Sequence, residues 1–146
     1  DKSLMDGYWL NILEKDWPFL VAVEHTNFED KDHYGNKVIV YLGNYLEKSD
    51  KRLGLSDDEL LELYLPFIQK INSSFDKKSI LRKWRFKAPF AQPVFPINYS
   101  APLRETLRMG VTDGIYVTNM SMVYPWDRGT NYAVELGKKV ANLIIQ

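Results

Sequence analysis

Apolar positions along this chain fall in short runs separated by polar punctuation, and the period of each run predicts an element. Tyr8 to Leu13 is a brief apolar run with strand character, closed by Trp17-Pro18. Phe19-Leu20-Val21-Ala22-Val23 reads as a buried strand that ends in the polar run Glu24-His25-Thr26-Asn27. Asp30 to Asn36 is a charged loop in which Tyr34-Gly35-Asn36 supplies turn chemistry. Lys37-Val38-Ile39-Val40-Tyr41-Leu42 is the clearest strand, rich in β-branched residues. Two strands joined by such a loop predict an antiparallel hairpin.

The period then changes. Ser56-Asp57-Asp58-Glu59 is a capping box, in which the Ser56 hydroxyl takes the Glu59 backbone N–H and the Glu59 carboxylate reaches back. Leu60, Leu61, Tyr64, Phe67, Ile68 and Ile71 follow at helical spacing, and Asn72-Ser73-Ser74 ends the helix. Pro66 sits inside the pattern and is expected to kink or divide it. From Ile80 to Phe90 the chain alternates loosely (Leu81, Trp84, Phe86, Ala88, with basic residues between), which predicts an extended strand. Pro89, Pro93, Pro96 and Pro102 then make a semi-rigid connector. Thr112-Asp113-Gly114 reads as a turn, Ile115 to Thr118 as a short buried strand and Met120 to Gly129 as a loop. A final helix is expected from about Thr130, with Ala133, Gly137 and Ala141 spaced so that it can approach a sheet or ligand closely. The predicted fold class is α+β: a mixed, largely antiparallel sheet, one packed amphipathic helix and a C-terminal strand-loop-helix. Residues 1–110 would hold the sheet and first helix, and 111–146 the terminal unit.

Composition narrows the functional classes. The 146 residues are 45% apolar and 26% charged, enough for one domain with a core or for one lobe of a larger protein. Lys plus Arg number 19 and Asp plus Glu number 19, so charge gives no reason to expect a nucleic acid or an anionic membrane as partner. Without cysteine there is no disulfide or thiolate nucleophile, which fits a reducing, cytoplasmic compartment. No apolar run approaches the roughly 20 residues of a transmembrane helix, and the polar start, Asp1 to Gly7, lacks a signal-peptide pattern. The two histidines and scattered carboxylates show no zinc spacing, so no metal site is expected. Ser3, Ser56, Ser73 and Ser121 have no G-x-S-x-G setting, so hydrolase chemistry has no support.

The stretch Gly114-Ile115-Tyr116-Val117-Thr118-Asn119, a loop, then Arg128-Gly129-Thr130-Asn131-Tyr132-Ala133 carries the most chemistry. A helix start has unpaired N–H groups and partial positive charge, suited to an anionic or carbonyl-bearing ligand; the plainer reading is an ordinary strand–loop–helix unit. Arg128 either pairs with Asp127 or meets a carboxylate or phosphate, and its place beside the helix start favours the second. His25, with Glu24 and Asn27, is either a polar wall of a substrate cavity, able to titrate near neutral pH, or a hydrogen-bonded strand terminus. His33, in a charged loop, is expected to be solvated. Arg82, Lys83, Arg85 and Lys87 interleave with Trp84 and Phe86, as in single-stranded nucleic-acid binders, but zero net charge favours a solvated strand face.

The closing stretch resembles the last strand and helix of flavin-containing amine oxidases and protoporphyrinogen oxidase-like enzymes. With Tyr124-Pro125-Trp126-Asp127-Arg128-Gly129-Thr130-Asn131 it is similar to a bacterial and archaeal branch related to UDP-galactopyranose mutase-like oxidoreductases. Pro18-Phe19, Val23-Glu24-His25-Thr26-Asn27-Phe28, Tyr41-Leu42-Gly43-Asn44-Tyr45 and Ala91-Gln92-Pro93 resemble that branch too, in the same order along most of the chain. The resemblance implies hydride transfer from a small-molecule substrate to FAD. Arg128, Gly129, Thr130 and Asn119 would face the flavin, and Glu24, His25, Asn27 and Tyr41 would line the substrate side. Asn119 departs from the acidic or glycine-flanked residue usual at its position. No G-x-G-x-x-G follows any strand, so this chain alone is not expected to hold FAD tightly. A carboxy-terminal fragment is implied, whose partner is an amino-terminal nucleotide-binding lobe, with pairing of two copies through the uncovered surface left open. The rival from another class is a stand-alone module that encloses a small apolar ligand without redox chemistry.

Overall fold

Three short strands organise the first half of the chain: β1 (Trp9–Asn11), β2 (Val21–Glu24) and β3 (Val40–Gly43). They form one sheet in the order β1-β2-β3, with both pairs antiparallel. The computed structural model describes residues 2–100, 114–126 and 128–145. By internal contacts the chain divides into two units, Asp1–Lys87 and Ala88–Gln146. The division expected after residue 110 lies outside the described residues, as do Pro102 and the Thr112-Asp113 turn.

Register sorts the strand residues onto two faces. Leu10, Ala22 and Leu42 stand in one cross-strand row, and Trp9, Val23 and Tyr41 in the next. Because side chains alternate along a strand, these rows point to opposite sides. The first row faces the core, where Ala22 joins Leu4, Ile12, Phe19 and Ile68. The helix α1 (Asp57–Ile71) covers that face with Tyr64, Phe67, Ile68 and Ile71. Phe19, completely buried, lies at the junction: Trp17 meets it edge-on at 5.5 Å and Tyr64 at 5.1 Å. Lys70 lies over the rings of Phe67 and Trp17 at 4.7 and 5.7 Å, a cation–π contact that closes the cluster.

The α+β class and the antiparallel pairing of the two central strands are as the sequence predicts, and the sheet is wholly antiparallel rather than mixed. The capping box is formed: Glu59 N donates to Ser56 Oγ at 3.2 Å and Ser56 N to Glu59 Oε2 at 2.8 Å. Pro66 does not divide the helix, which is assigned without a break across it; the missing N–H costs one intrahelical bond, while apolar residues on both sides stay packed on the sheet. In the loop before β3, Gly35 and Asn36 take positive φ values of 62° and 59°, the left-handed conformation that glycine and asparagine tolerate.

Two expected strands are absent. Residues 81–88 join no ladder; the basic side chains, rather than the backbone, fasten this segment. Lys77 pairs with Glu62, Lys83 with Asp58, and Arg85 with Asp57 at 3.7 Å. Lys87 donates to the Leu53 carbonyl at 2.7 Å. These charges are therefore not a simple solvated face. Ile115 makes only an isolated bridge, and Ile115, Tyr116 and Val117 are exposed, so the buried strand expected there is not formed. The second unit instead packs a 3-10 turn, Met120–Met122, with Val123 against Leu136 of helix α2 (Thr130–Ile145). Phe95, Tyr99 and Tyr124 form a neighbouring ring cluster, with the Tyr99 hydroxyl donating to the Ser121 carbonyl at 2.6 Å. Among the described residues no helix is long and apolar enough to cross a membrane.

Charge placement at the start of α1 sets an acid limit. Arg52, hydrogen-bonded to Asp50 at 2.6 and 2.9 Å, lowers the Asp50 pKa to about 2. Lys83 lowers that of Asp58, and the Ser56 backbone and hydroxyl lower that of Glu59. Groups depressed in the folded state contribute stability above their unfolded pKa and lose it as pH falls through the folded value. The urea midpoint of the Asp1–Lys87 unit should therefore fall as pH drops from about 4 towards 2, and Asp50→Asn should flatten the lowest part of that profile. At neutral pH, Ser56→Ala should cost about 1 kcal/mol in the same denaturation experiment.

Candidate functional site

Among the described residues Glu24 is the one charged residue with a fully buried side chain, at 1% exposure. It shares the inner face with Ala22 and is opposite Val40. Its carboxylate accepts the Leu4 N–H at 2.7 Å and the Met5 N–H at 3.0 Å. Asn27 works on the same segment, its amide donating to the carbonyls of Met5 and Gly7 at 2.6 and 3.0 Å. Together they pin the amino-terminal segment, which belongs to no ladder, across the sheet end. The carboxylate satisfies the Leu4 N–H, which would otherwise be buried without a partner, and the half-buried Met5 N–H beside it.

His25 and Tyr41 come together on the other side. His25 opens a 3-10 turn, His25–Asn27, and its backbone N–H donates to Ile39 O at 2.9 Å. Its Nε2 shares a 2.7 Å hydrogen bond with the Tyr34 hydroxyl, and its ring meets those of Tyr34 and Tyr41 edge-on at 5.3 and 6.0 Å. Tyr34 is a member of this group that the sequence reading did not select. Its pairing depends on the turn at Lys31–Tyr34, capped by Asp30 and ended by Gly35, and only the turn residues signalled it.

The same side carries the row Trp9–Val23–Tyr41. Trp9 and Tyr41 are exposed at the two edges, while Val23 between them is only 7% exposed. Trp9 Nε1 donates to Asn11 Oδ1 at 2.8 Å, which orients the indole along this face. Gly43 lies opposite Val21, whose γ-methyl would be only 2.9 Å from an added Cβ. The result is a flat surface, apolar in its middle, with an imidazole–phenol pair at one end. An open depression of about 530 Å³ adjoins the turn after β2, lined by Ser3, Thr26, Asn27, Asp30, Lys31 and Val38 among others.

The four residues that the resemblance puts at a flavin belong to the second unit. Asn119 Oδ1 accepts the Ser121 N–H at 2.9 Å and the Ser121 hydroxyl at 2.5 Å, so its side chain caps the Met120–Met122 turn. Gly129 precedes α2, and its carbonyl accepts the Ala133 N–H at 3.0 Å, making Thr130 the first helical residue. An added Cβ at Gly129 would lie 2.8 Å from Asn131 Oδ1 and 3.3 Å from the Tyr132 ring. Trp126 stacks on Tyr132 with centroids 5.7 Å apart and planes 3° apart. Arg128 is exposed, and the Asp127–Arg128 pairing lies outside the described residues. Among the described residues no three potential metal ligands come together. His33 is exposed, 3.9 Å from Glu29.

Glu24→Ala should destabilise the first unit by about 2 kcal/mol in urea unfolding, because it strands the buried Leu4 N–H and removes the partner of the half-buried Met5 N–H. Tyr34→Phe should leave stability nearly unchanged, and the loss of its bond should appear as a shift of the His25 ring resonances in NMR. No protein-family model, no curated protein and no solved structure matches this chain.

Proposed function

We propose that this chain supplies the substrate lobe and the flavin-facing closing helix of an FAD-dependent oxidoreductase of the amine oxidase type. The observation that carries the reading is the second face of the sheet, where Trp9 and Tyr41 are exposed at the edges of a row whose centre, Val23, is buried. An antiparallel sheet with one covered face ordinarily turns polar residues to water, yet here Trp9, Val23 and Tyr41 occupy the second face. Exposed apolar surface of this kind marks a region that something else covers. An aromatic wall with one hydrogen-bonding group at its end suits a substrate held against an isoalloxazine ring, where the flavin supplies the redox chemistry and the protein supplies orientation.

In this reading His25 and Tyr41, with Tyr34 and Trp9, line the substrate side. Glu24 and Asn27, which the resemblance also assigns to substrate, support that wall from beneath by fixing the amino-terminal segment. Gly129 and Thr130 offer the first N–H groups of α2 to the flavin, with Arg128 beside them and Asn119 shaping the preceding turn. The pyrophosphate of FAD would be held by a nucleotide-binding lobe on another stretch of polypeptide.

FAD titration followed by flavin absorbance tests this. The chain alone should bind FAD weakly, and together with a nucleotide-binding lobe it should bind stoichiometrically. In that holoprotein Arg128→Ala should weaken FAD binding about tenfold, equivalent to about 1.4 kcal/mol. His25→Ala and Tyr41→Ala should raise KM with flavin content unchanged. Tight FAD binding by the isolated chain would remove the need for a second lobe. Absence of binding in both forms would move the assignment to a module for small apolar ligands.

A further inference from the structure

Residues 77–87 run antiparallel to the start of α1 and are fastened to it almost entirely by side chains. Partner numbers fall as the segment advances: Lys77 to Glu62, Lys83 to Asp58, Arg85 to Asp57, and Lys87 to the Leu53 carbonyl. Arg85 is the central pin. At 16% side-chain exposure its guanidinium donates to the carbonyl of Leu55, to that of Arg52 at 2.9 Å and to that of Leu53 at 3.3 Å. These carbonyls lie at and just after the 3-10 turn Lys51–Gly54, and that of Arg52 also accepts the Leu55 N–H at 3.4 Å. The residues between the fasteners turn outward: Trp84 is 70% exposed and Phe86 88%. Residues 81–87 contribute no side chain to the buried core cluster of the first unit.

We infer that residues 80–87 form an electrostatic latch, which detaches from α1 as ionic strength rises while the sheet and helix beneath stay folded. The physical basis is the imbalance between its fasteners and its burial. The exposed ion pair Lys83–Asp58 is weak and screened by salt, and no side chain of residues 81–87 joins the buried core cluster to replace it. The latch ends at Lys87, where the first compact unit ends. Opening it frees residues 80–87 at the carboxy-terminal end of the first unit. Ionic strength, or a competing polyanion that draws Lys83, Arg85 and Lys87 away, would thus set whether this segment is docked or free. The inference stands apart from the flavin reading and holds whether or not the protein binds FAD.

Limited chymotrypsin digestion measures opening directly, because cleavage after Trp84 and Phe86 requires a detached segment, while exposed Phe28 and Tyr45 serve as reference sites outside it. Cleavage in this regime follows the population of the open form. From about 0.05 to about 1 M NaCl, where the Debye length shrinks to about 3 Å, cleavage at Trp84 and Phe86 should rise about tenfold relative to the reference sites. Arg85→Ala and Lys83→Glu should produce the same rise at low salt with the melting temperature of the first unit nearly unchanged. Adding Asp58→Lys to Lys83→Glu should close the latch again by reversing the pair. Equal cleavage in all forms and at both salt concentrations would overturn the inference. So would a parallel rise at all sites, since the segment would then open only with the whole unit.

Discussion

A three-stranded sheet has two faces, and the first unit of this protein has one helix with which to cover them. Most of its architecture follows from that shortage. α1 takes the face that holds Leu10, Ala22 and Leu42, and Phe19 joins sheet to helix at the point of deepest burial. With sheet edges so short, further segments cannot be held by ladders. They are held by individual polar side chains instead: Glu24 and Asn27 for the amino-terminal segment, Arg85 and the lysines for residues 77–87. No helix of the first unit covers the aromatic residues of the second face.

The two kinds of fastening differ physically. Glu24 is buried, and so is the Leu4 N–H that it accepts, so breaking that contact leaves a buried donor without a partner. The basic residues of 77–87 sit mostly at the surface, where water and salt replace a lost partner at small cost. The amino-terminal segment therefore belongs to the folded unit, whereas residues 80–87 are coupled to it by charge. In the second unit, packing of Met122 and Val123 on Leu136 and the stacking of Trp126 on Tyr132 organise the approach to α2 around side chains rather than strands.

Local chemistry was legible in the sequence wherever neighbours in the chain decide it. The capping box at Ser56 and Glu59, the left-handed turn at Gly35-Asn36, the apolar face of α1 and the start of α2 near Thr130 all depend on residues within one or two turns of each other. Alternation and β-branched residues likewise marked the central strands. The same signals misled at Ile80 to Phe90 and Ile115 to Thr118. Alternation shows that a segment is compatible with a strand, but a strand needs a partner whose backbone groups are free, and none is paired along these segments beyond a single bridge at Ile115.

What the sequence by itself determined is the α+β class, the identity of the main helix and the clustering of Glu24, His25 and Asn27, which lie within four successive positions of the chain. Tertiary structure alone decided which way each of these side chains points. A one-residue step along β2 separates Glu24, on the buried face beneath Leu4 and Met5, from His25, against Tyr34 and Tyr41. That assignment requires the register of β2 against β3 and the path of a segment some twenty positions away. The roles of Lys83 and Arg85 have the same origin: their charge is written in the sequence, but their partners lie 25 to 33 positions earlier and are brought within reach only by the turn of the chain back along α1.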